Sequence, residues 1–297
     1  MNGPQRLVRG DAPALFWQLH QPETTARGGV LLVHGYQDHS GHYLQVVEDW
    51  TARGLAVARL DLRGHGRSEG KRGYIRRFEE YLRDVEDVLE VLVARRDGAL
   101  FARPAVFAQS MGALVACQLV RSRPGRIRGL ALGSPYFALA MPVPPIKRAL
   151  ANLLGRWWPS FGLPAGIGVE LLTRDPEMQR TIREDELKFR QARAGWFLAA
   201  RRAQEELAAH AAEVTVPVYC RAGADDRLAD VERTKVVVGA MPRAELRVIP
   251  GCRHDLCHEL DRAEHVARFG ERLSSWFDDG TPDGSSPAAD DHAKPLR

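Results

Sequence analysis

The stretch Pro104-Ala105-Val106-Phe107-Ala108-Gln109-Ser110-Met111-Gly112-Ala113-Leu114-Val115-Ala116-Cys117 constrains the fold of this chain more than any other. A short β-favouring run stops at a small residue, a serine follows two positions on, glycine comes two after that, and an Ala/Leu/Val helical pattern begins at once. That order describes a strand turning sharply into a helix with a serine at the tip, the layout of a nucleophile elbow. Small neighbours are needed there because side chains two positions either side of the serine would collide with adjacent backbone. Ala108 stands where the pentapeptide G-x-S-x-G has its first glycine. Taken alone, the pentapeptide fits an ordinary strand-to-helix turn equally well.

Around this stretch, strand and helix patterns alternate. Gln5 to Arg9 and Ala14 to His20, joined by Gly10-Asp11-Ala12-Pro13, read as an antiparallel pair at a sheet edge. Val30-Leu31-Leu32-Val33 is a continuous apolar run of the kind that parallel strands bury on both faces. A helix is expected from about His42 to Arg53, then a strand from Leu55 to Leu60 running into the glycine-rich loop Asp61 to Gly70. Phe78 to Arg95 carries apolar residues at three- and four-residue intervals, a helix with one buried face. A strand from Ile127 to Leu132 follows the elbow helix. Strands alternating with helices imply βαβ units, hence an α/β fold with a mostly parallel central sheet and helices on both faces.

From Tyr136 to Val214 the alternation lapses, over an interval too long for an ordinary connection and too helical for disorder. We therefore expect a core over 1–135 and 214–278 and an inserted helical cap over 136–213. Within the cap, Ile146, Leu150, Leu153, Leu154 and Trp157 share one helix face, and Trp158, Phe161, Leu163 and Ile167 extend the apolar content past Pro159. Such a face serves either as a lid over an acyl-chain pocket, with peripheral membrane contact, or as plain packing against the core. The pattern resumes with strands at Val216 to Arg221 and Glu245 to Ile249 and helices from about Val231 and from Asp261 to Phe277. Residues 279–297, rich in Pro, Gly, Ser and Asp, are expected to be a disordered tail.

Composition narrows the partners. At 297 residues and 44% hydrophobic, the chain can bury a large core. Lys and Arg number 42 against 38 Asp and Glu, and the resulting net charge of +4 is scattered rather than clustered, so nucleic-acid binding is not expected. Four cysteines are too few for a secreted disulfide framework, and no run approaches the roughly 18 apolar residues of a membrane span. Arg6, Arg9 and Asp11 occupy the place of a signal peptide's apolar region, and a cytoplasmic location is the expectation.

A serine hydroxyl is a weak nucleophile and needs a base, which in turn needs a group to orient it. After an elbow, the acid comes next in the chain and the histidine last. Ala224-Asp225-Asp226-Arg227 follows one late strand and Gly251-Cys252-Arg253-His254 the next, so Ser110, one of the two aspartates and His254 can meet at one sheet edge. Either aspartate could instead cap the following helix, and His258 is a second candidate base, disfavoured because it falls where a helix should begin. Cys252, His254, Cys257 and His258 come from one short segment with no distant second pair, so a metal site is not expected. The oxyanion needs two backbone N–H donors, expected from Met111 and from Tyr36 in the loop after the Val30 to Val33 strand.

These motifs resemble the monoacylglycerol lipase and lysophospholipase branch of the α/β-hydrolases, over nearly the whole chain up to about Phe277. His34-Gly35-Tyr36-Gln37-Asp38-His39-Ser40-Gly41-His42-Tyr43 is similar to HG-x-GEHSGRY, Asp61 to Gly70 to D-x-RGHG-x-S-x-G, and Gln109-Ser110-Met111-Gly112 to HSMGG. Gly223-Ala224-Asp225-Asp226-Arg227-Leu228 is similar to G-x-x-D-R-L, which assigns the acid to Asp226. His254 and His258 match H-x-x-x-H, whose first histidine is catalytic in the family. The resemblance implies a cofactor-free Ser-His-Asp hydrolase of lipid-like carboxylic esters, monoacylglycerol ahead of lysophospholipid, with thioester cleavage and acyl transfer as variants of the same chemistry. A non-catalytic ligand-binding member of the fold is the alternative from another class. Ala108, Gln109 and Gln37 depart from the family's Gly, His and Gly, and the two glutamines are expected to alter the pocket near the reacting carbonyl.

Overall fold

The computed structural model describes residues 3–141, 153–164 and 167–278. Ile146, Leu150, the side chain of Leu163 and the tail expected over 279–297 lie outside the described residues. In chain order the elements are β1 (Gln5–Leu7), β2 (Leu15–His20), β3 (Gly28–Val33), α1 (Leu44–Ala52), β4 (Leu55–Leu60), α2 (Glu79–Val93), β5 (Ala105–Gln109), α3 (Met111–Ser122) and β6 (Gly129–Gly133). There follow β7 (Gly162–Pro164), α4 (Pro176–Glu184), β8 (Gln191–Arg193), α5 (Ala194–Ala209), β9 (Val218–Gly223), α6 (Val231–Gly239), β10 (Ala244–Ile249) and α7 (Arg262–Ser275). Eight strands form one sheet in the order β1-β2-β4-β3-β5-β6-β9-β10, and β7 pairs with β8 apart from it. β1 and β2 are the antiparallel edge; every pairing from β4 to β10 is parallel.

The apolar run of β3 is explained by burial on both faces. Leu31 and Val33 point into a core shared with Val85 and Leu89 of α2 and Leu114 of α3. Val30 and Leu32 point the other way, against Trp50 of α1 and Phe269 of α7. Period-two alternation thus divides one apolar run between two helical layers. Several boundaries differ by one or two residues from the sequence expectation, and two of the shifts have a clear local reason. A 3-10 turn over Ser40–Tyr43, its start capped by His39, delays α1 to Leu44. Pro217, without an N–H to donate to a ladder, delays β9 to Val218.

Strand order reverses at β3, with β4 on one side and β5 on the other. The loops leaving β3 and β5 therefore diverge and open a crevice at the carboxyl edge of the sheet, the usual ligand position in open α/β sheets. Closing the turn between β5 and α3 demands a very near approach to β3. A Cβ on Gly112 would lie 2.5 Å from the carbonyl oxygen of Val33 and 2.7 Å from that of His34. Those are main-chain atoms of a buried strand and cannot yield cheaply. Gly112→Ala is therefore expected to destabilise the protein by about 1–3 kcal/mol, read as a lower urea midpoint. Gly239→Ala at the end of α6, where an added Cβ meets nothing within 4 Å, should leave the midpoint unchanged or raise it.

Candidate active site

Ser110 sits between β5 and α3 with φ 54° and ψ −116°, a conformation that costs a non-glycine residue about 1–3 kcal/mol. The turn is tied down on both sides of the peptide. Ser110 N–H donates to the Gly133 carbonyl at 2.9 Å, and the Ser110 carbonyl accepts from the N–H groups of Ala113 and Tyr136 at 3.1 Å each. Gly35, from the loop after β3, packs against the serine so closely that a Cβ there would lie 3.2 Å from Ser110 Cβ.

The loops after β9 and β10 bring Asp226 and His254 to this turn. Ser110 Oγ lies 2.9 Å from His254 Nε2, and His254 Nδ1 lies 2.7 Å from Asp226 Oδ2. Nδ1–H donates to the carboxylate, so Nε2 is free to accept the serine hydroxyl proton. Burial disfavours the His254 cation, but the charge and hydrogen bond of Asp226 outweigh it and raise the imidazole pKa above its ordinary value. The other Asp226 oxygen, Oδ1, accepts from Leu228 N and Ala229 N at 2.8 and 2.9 Å, which fixes the carboxylate plane. Asp225 is exposed and the cap of α6 is Asp230, so the two aspartates that the sequence left side by side are separated by burial.

Across the crevice, the loop after β3 is pinned by the glycine-rich motif. Asp61 accepts from Ser40 N and Arg67 N at 2.8 Å each, and His34 Nε2 accepts from Leu62 N at 3.0 Å. Buried His34, its pKa lowered chiefly by desolvation, uses Nδ1–H toward the Gly35 carbonyl at 2.7 Å. Tyr36 and Met111 thus flank Ser110 from two elements, Tyr36 just beyond Gly35 and Met111 as the first residue of α3.

A serine hydroxyl in line with an imidazole and a buried carboxylate is an arrangement able to carry acyl transfer, and comparison with known proteins agrees with the geometry. Residues 24–261 match the family described as serine aminopeptidase, S33 (Hydrolase_4). The chain belongs to that family. Its fold is that of the α/β-hydrolases. It is 31% identical over 252 residues to a monoacylglycerol lipase of Mycolicibacterium smegmatis, spanning 84% of this chain and 88% of that one. To phospholipase YtpA of Bacillus subtilis it is 26% identical, over 84% of this chain and 94% of the other. The crystal structure of the Paleococcus ferrophilus monoacylglycerol lipase superposes with a TM-score of 0.81 at 26% identity, covering 88% of this chain and 99% of that one.

The S33-family departures take on definite positions. Gln109 turns toward the histidine loop, donating from Nε2 to the His254 carbonyl at 3.0 Å, and is 2% exposed. Gln37 holds φ 59°, the left-handed region where the family's glycine is at ease. Cys252, His254, Cys257 and His258 do not converge: His254 faces Ser110 and Asp226, His258 faces Asp255 and the His42 carbonyl, and Cys252 faces Asp261 and His265. Two other donor groups gather among the described residues, His39 with His42 and Asp185, and Cys252 with Asp261 and His265. Hydrogen-bond direction in each fits proton sharing rather than a cation. Gly41 N–H donates to His39 Nδ1 at 3.0 Å, and Arg221 donates to His265 Nδ1 at 2.9 Å, so both Nε2 atoms carry the proton and offer no lone pair.

Sequence reasoning missed the work of His258, which lies in a 3-10 turn (Leu256–His258) ahead of α7 rather than at its start. Nδ1 meets Asp255 Oδ2 at 2.7 Å and Nε2 meets the His42 carbonyl at 2.9 Å. Both partners accept, so the ring carries both protons and clips the histidine loop to the loop after β3. Burial opposes this cation, yet the charge and hydrogen bond of Asp255 raise its pKa from 6.5 to about 9. A pKa raised on folding gives stability that is complete below the unfolded value and disappears as pH climbs through the folded one. The melting temperature of wild type should therefore exceed that of His258→Gln most below pH 6.5, and the gap should close as pH passes about 9. A gap constant from pH 6 to 10 would refute the charged clip.

Proposed function

We propose that this protein is a cofactor-free serine esterase that releases fatty acid from lipid-like carboxylic esters, monoacylglycerol first among them. The observation that carries the reading is the continuous chain from Ser110 Oγ through His254 to Asp226, with steps of 2.9 and 2.7 Å at a strained elbow. Ser110 attacks the acyl carbonyl while His254 Nε2 takes its proton. Asp226 stabilises the imidazolium, and the N–H groups of Tyr36 and Met111 hold the oxyanion. His254 returns the proton to the departing alcohol, and water, activated by the same histidine, releases the acyl group from Ser110. Every step balances without an added redox or metal partner. The relatives named monoacylglycerol lipase support the glycerol ester, and the relative named phospholipase supports lysophospholipid as the second substrate.

In this reading the segment over 136–213 acts as a cap above the crevice and meets lipid at a membrane surface from the cytoplasm. Its outer side supports that role: Leu153, Trp157 and Trp158 are 57%, 76% and 58% exposed. Beside them a cleft of about 1070 Å³ is lined by Arg76, Arg77, Arg156 and Arg202 among others. Indoles at an interface and cations facing anionic headgroups are the usual elements of peripheral attachment. Among the described residues no helix is long and apolar enough to cross a membrane. Co-sedimentation with phosphatidylglycerol vesicles should exceed that with phosphatidylcholine vesicles and should fall several-fold in Trp157→Ser/Trp158→Ser.

The direct test is fatty-acid release from monoacylglycerols of several chain lengths and from lysophosphatidylcholine, with Ser110→Ala alongside. Release should favour monoacylglycerol and drop by on the order of a million-fold in the variant. Specificity constants that stay flat as the acyl chain shortens from about ten carbons to two would remove the acyl pocket from the reading. Stoichiometric lipid binding without turnover in a folded wild type would replace the enzyme with a binding protein.

A further inference from the structure

Trp196, near the start of α5, touches both residues to which the oxyanion is assigned, although it stands 85 positions from one and 160 from the other in a segment outside the main sheet. Its indole lies nearly parallel to the Tyr36 ring, centroids 3.5 Å apart and planes 15° apart. Its Nε1–H donates to Met111 Sδ at 3.3 Å. The same indole is nearly parallel to Tyr136, at 6.1 Å and 18°, and Tyr136 N–H is one of the donors that hold the Ser110 carbonyl. Trp196 is 5% exposed and Met111 fully buried, so these contacts are sheltered from solvent.

The loop bearing Tyr36 needs an external anchor. Gly35 leaves the backbone permissive on one side and Gln37 is held at φ 59° on the other; His34 Nδ1–H holds the Gly35 carbonyl, and with it the plane of the Gly35–Tyr36 peptide, but that bond lies within the loop and does not set the distance from Tyr36 to Met111. The tyrosine side chain provides the hold. Its hydroxyl donates to the Gly73 carbonyl at 2.9 Å and accepts from Arg193 N at 3.3 Å, and its face rests on Trp196. Indole N–H is a donor only, and the Met111 thioether is the acceptor that satisfies it in a buried place. One rigid ring therefore sets the spacing between the loop after β3 and the first turn of α3.

We propose that Trp196 is a positioning residue of the oxyanion hole, fixing the relative placement of the Tyr36 and Met111 main-chain donors through the stack on one and the hydrogen bond to the other. This rests on the serine esterase reading above. Oxyanion donors must lie 2.7–3.1 Å from the developing charge, so a displacement of a few tenths of an ångström is costly, and about 1 Å costs on the order of a hundredfold. A residue that merely lined an acyl pocket would instead change binding of long chains and leave the oxyanion untouched.

The experiment compares wild type, Trp196→Phe and Trp196→Leu on p-nitrophenyl acetate, whose two-carbon acyl group is too short to report on a chain pocket. Ser110→Ala is the blank. Each variant is also titrated with an alkyl trifluoromethyl ketone, which adds Ser110 to give an anionic tetrahedral adduct, and with the matching carbinol, which cannot be attacked. We expect kcat/KM to fall about tenfold in Trp196→Phe, which loses the donor, and about a hundredfold in Trp196→Leu, which loses the stack as well. Ketone affinity should fall by the same factors while carbinol affinity stays within about twofold. Met111→Leu should add little in the Trp196→Phe background, because the bond it breaks is already gone. Equal losses for ketone and carbinol, or unchanged ketone affinity, would overturn the proposal. Should Trp196→Leu fail to fold by circular dichroism, Trp196→Phe and the double variant decide. Wild type inert toward every ester would sink the esterase reading and this inference together, whereas active wild type with indifferent variants would sink this inference alone.

Discussion

The turn at Ser110 is the constraint from which the rest of the site follows. A serine with positive φ is held against its own preference, at about 1–3 kcal/mol, and persists only because its surroundings over-determine it. Gly133 accepts its N–H, Ala113 and Tyr136 donate to its carbonyl, and the glycines at 35 and 112 let the turn and the end of β3 with its following loop come within contact distance. The consequence is an Oγ that projects from the sheet edge rather than folding onto the helix start. Only from there can it meet a histidine delivered by a strand three places away in the sheet order.

Hydrogen-bond direction then assigns a different protonation state to each neighbouring histidine. His34 is neutral, donating from Nδ1 and accepting on Nε2, and this state locks the loop after β3. His254 donates from Nδ1 to Asp226 and keeps Nε2 available for Ser110. His258 faces acceptors on both sides and is a cation. His254 and His258 stand four residues apart, and the sequence separates them as base and neighbour without showing that their charge differs. Their partners decide it: Ser110 Oγ can donate to a ring nitrogen, whereas the carbonyl of His42 can only accept.

What was legible in the sequence was local. The apolar run of β3, the period of α2 and the order serine, aspartate, histidine depend on residues near each other or on a simple chain order, and the structure brings Ser110, Asp226 and His254 together. The choice between Asp225 and Asp226 needed the family motif, since both sit in one loop and only a one-residue difference in direction buries Asp226 and exposes Asp225. The glycine-rich motif from Asp61 was the most specific sequence signal, and much of its visible work is scaffolding: Asp61 grips Ser40 and Arg67, and Arg63 pairs with buried Asp84 and with Glu80. Trp196 was invisible as a site residue because an aromatic at helical spacing reads as core, and nothing local shows that its neighbours are Tyr36 and Met111.

The segment between β6 and β9 meets the loop after β3 at two separate places, and the chemistry of the two contacts differs. At one, Trp196, Phe189 and the N–H of Arg193 surround the side chain of Tyr36. At the other, Asp185, just past α4, lies 2.6 Å from His39 Nε2 and 2.7 Å from His42 Nε2. Aromatic stacking changes little with pH or salt, whereas carboxylate–imidazole contacts depend on protonation, although burial shields these from screening. A segment attached by both kinds of contact cannot shift as a rigid body without disturbing the loop beside Ser110.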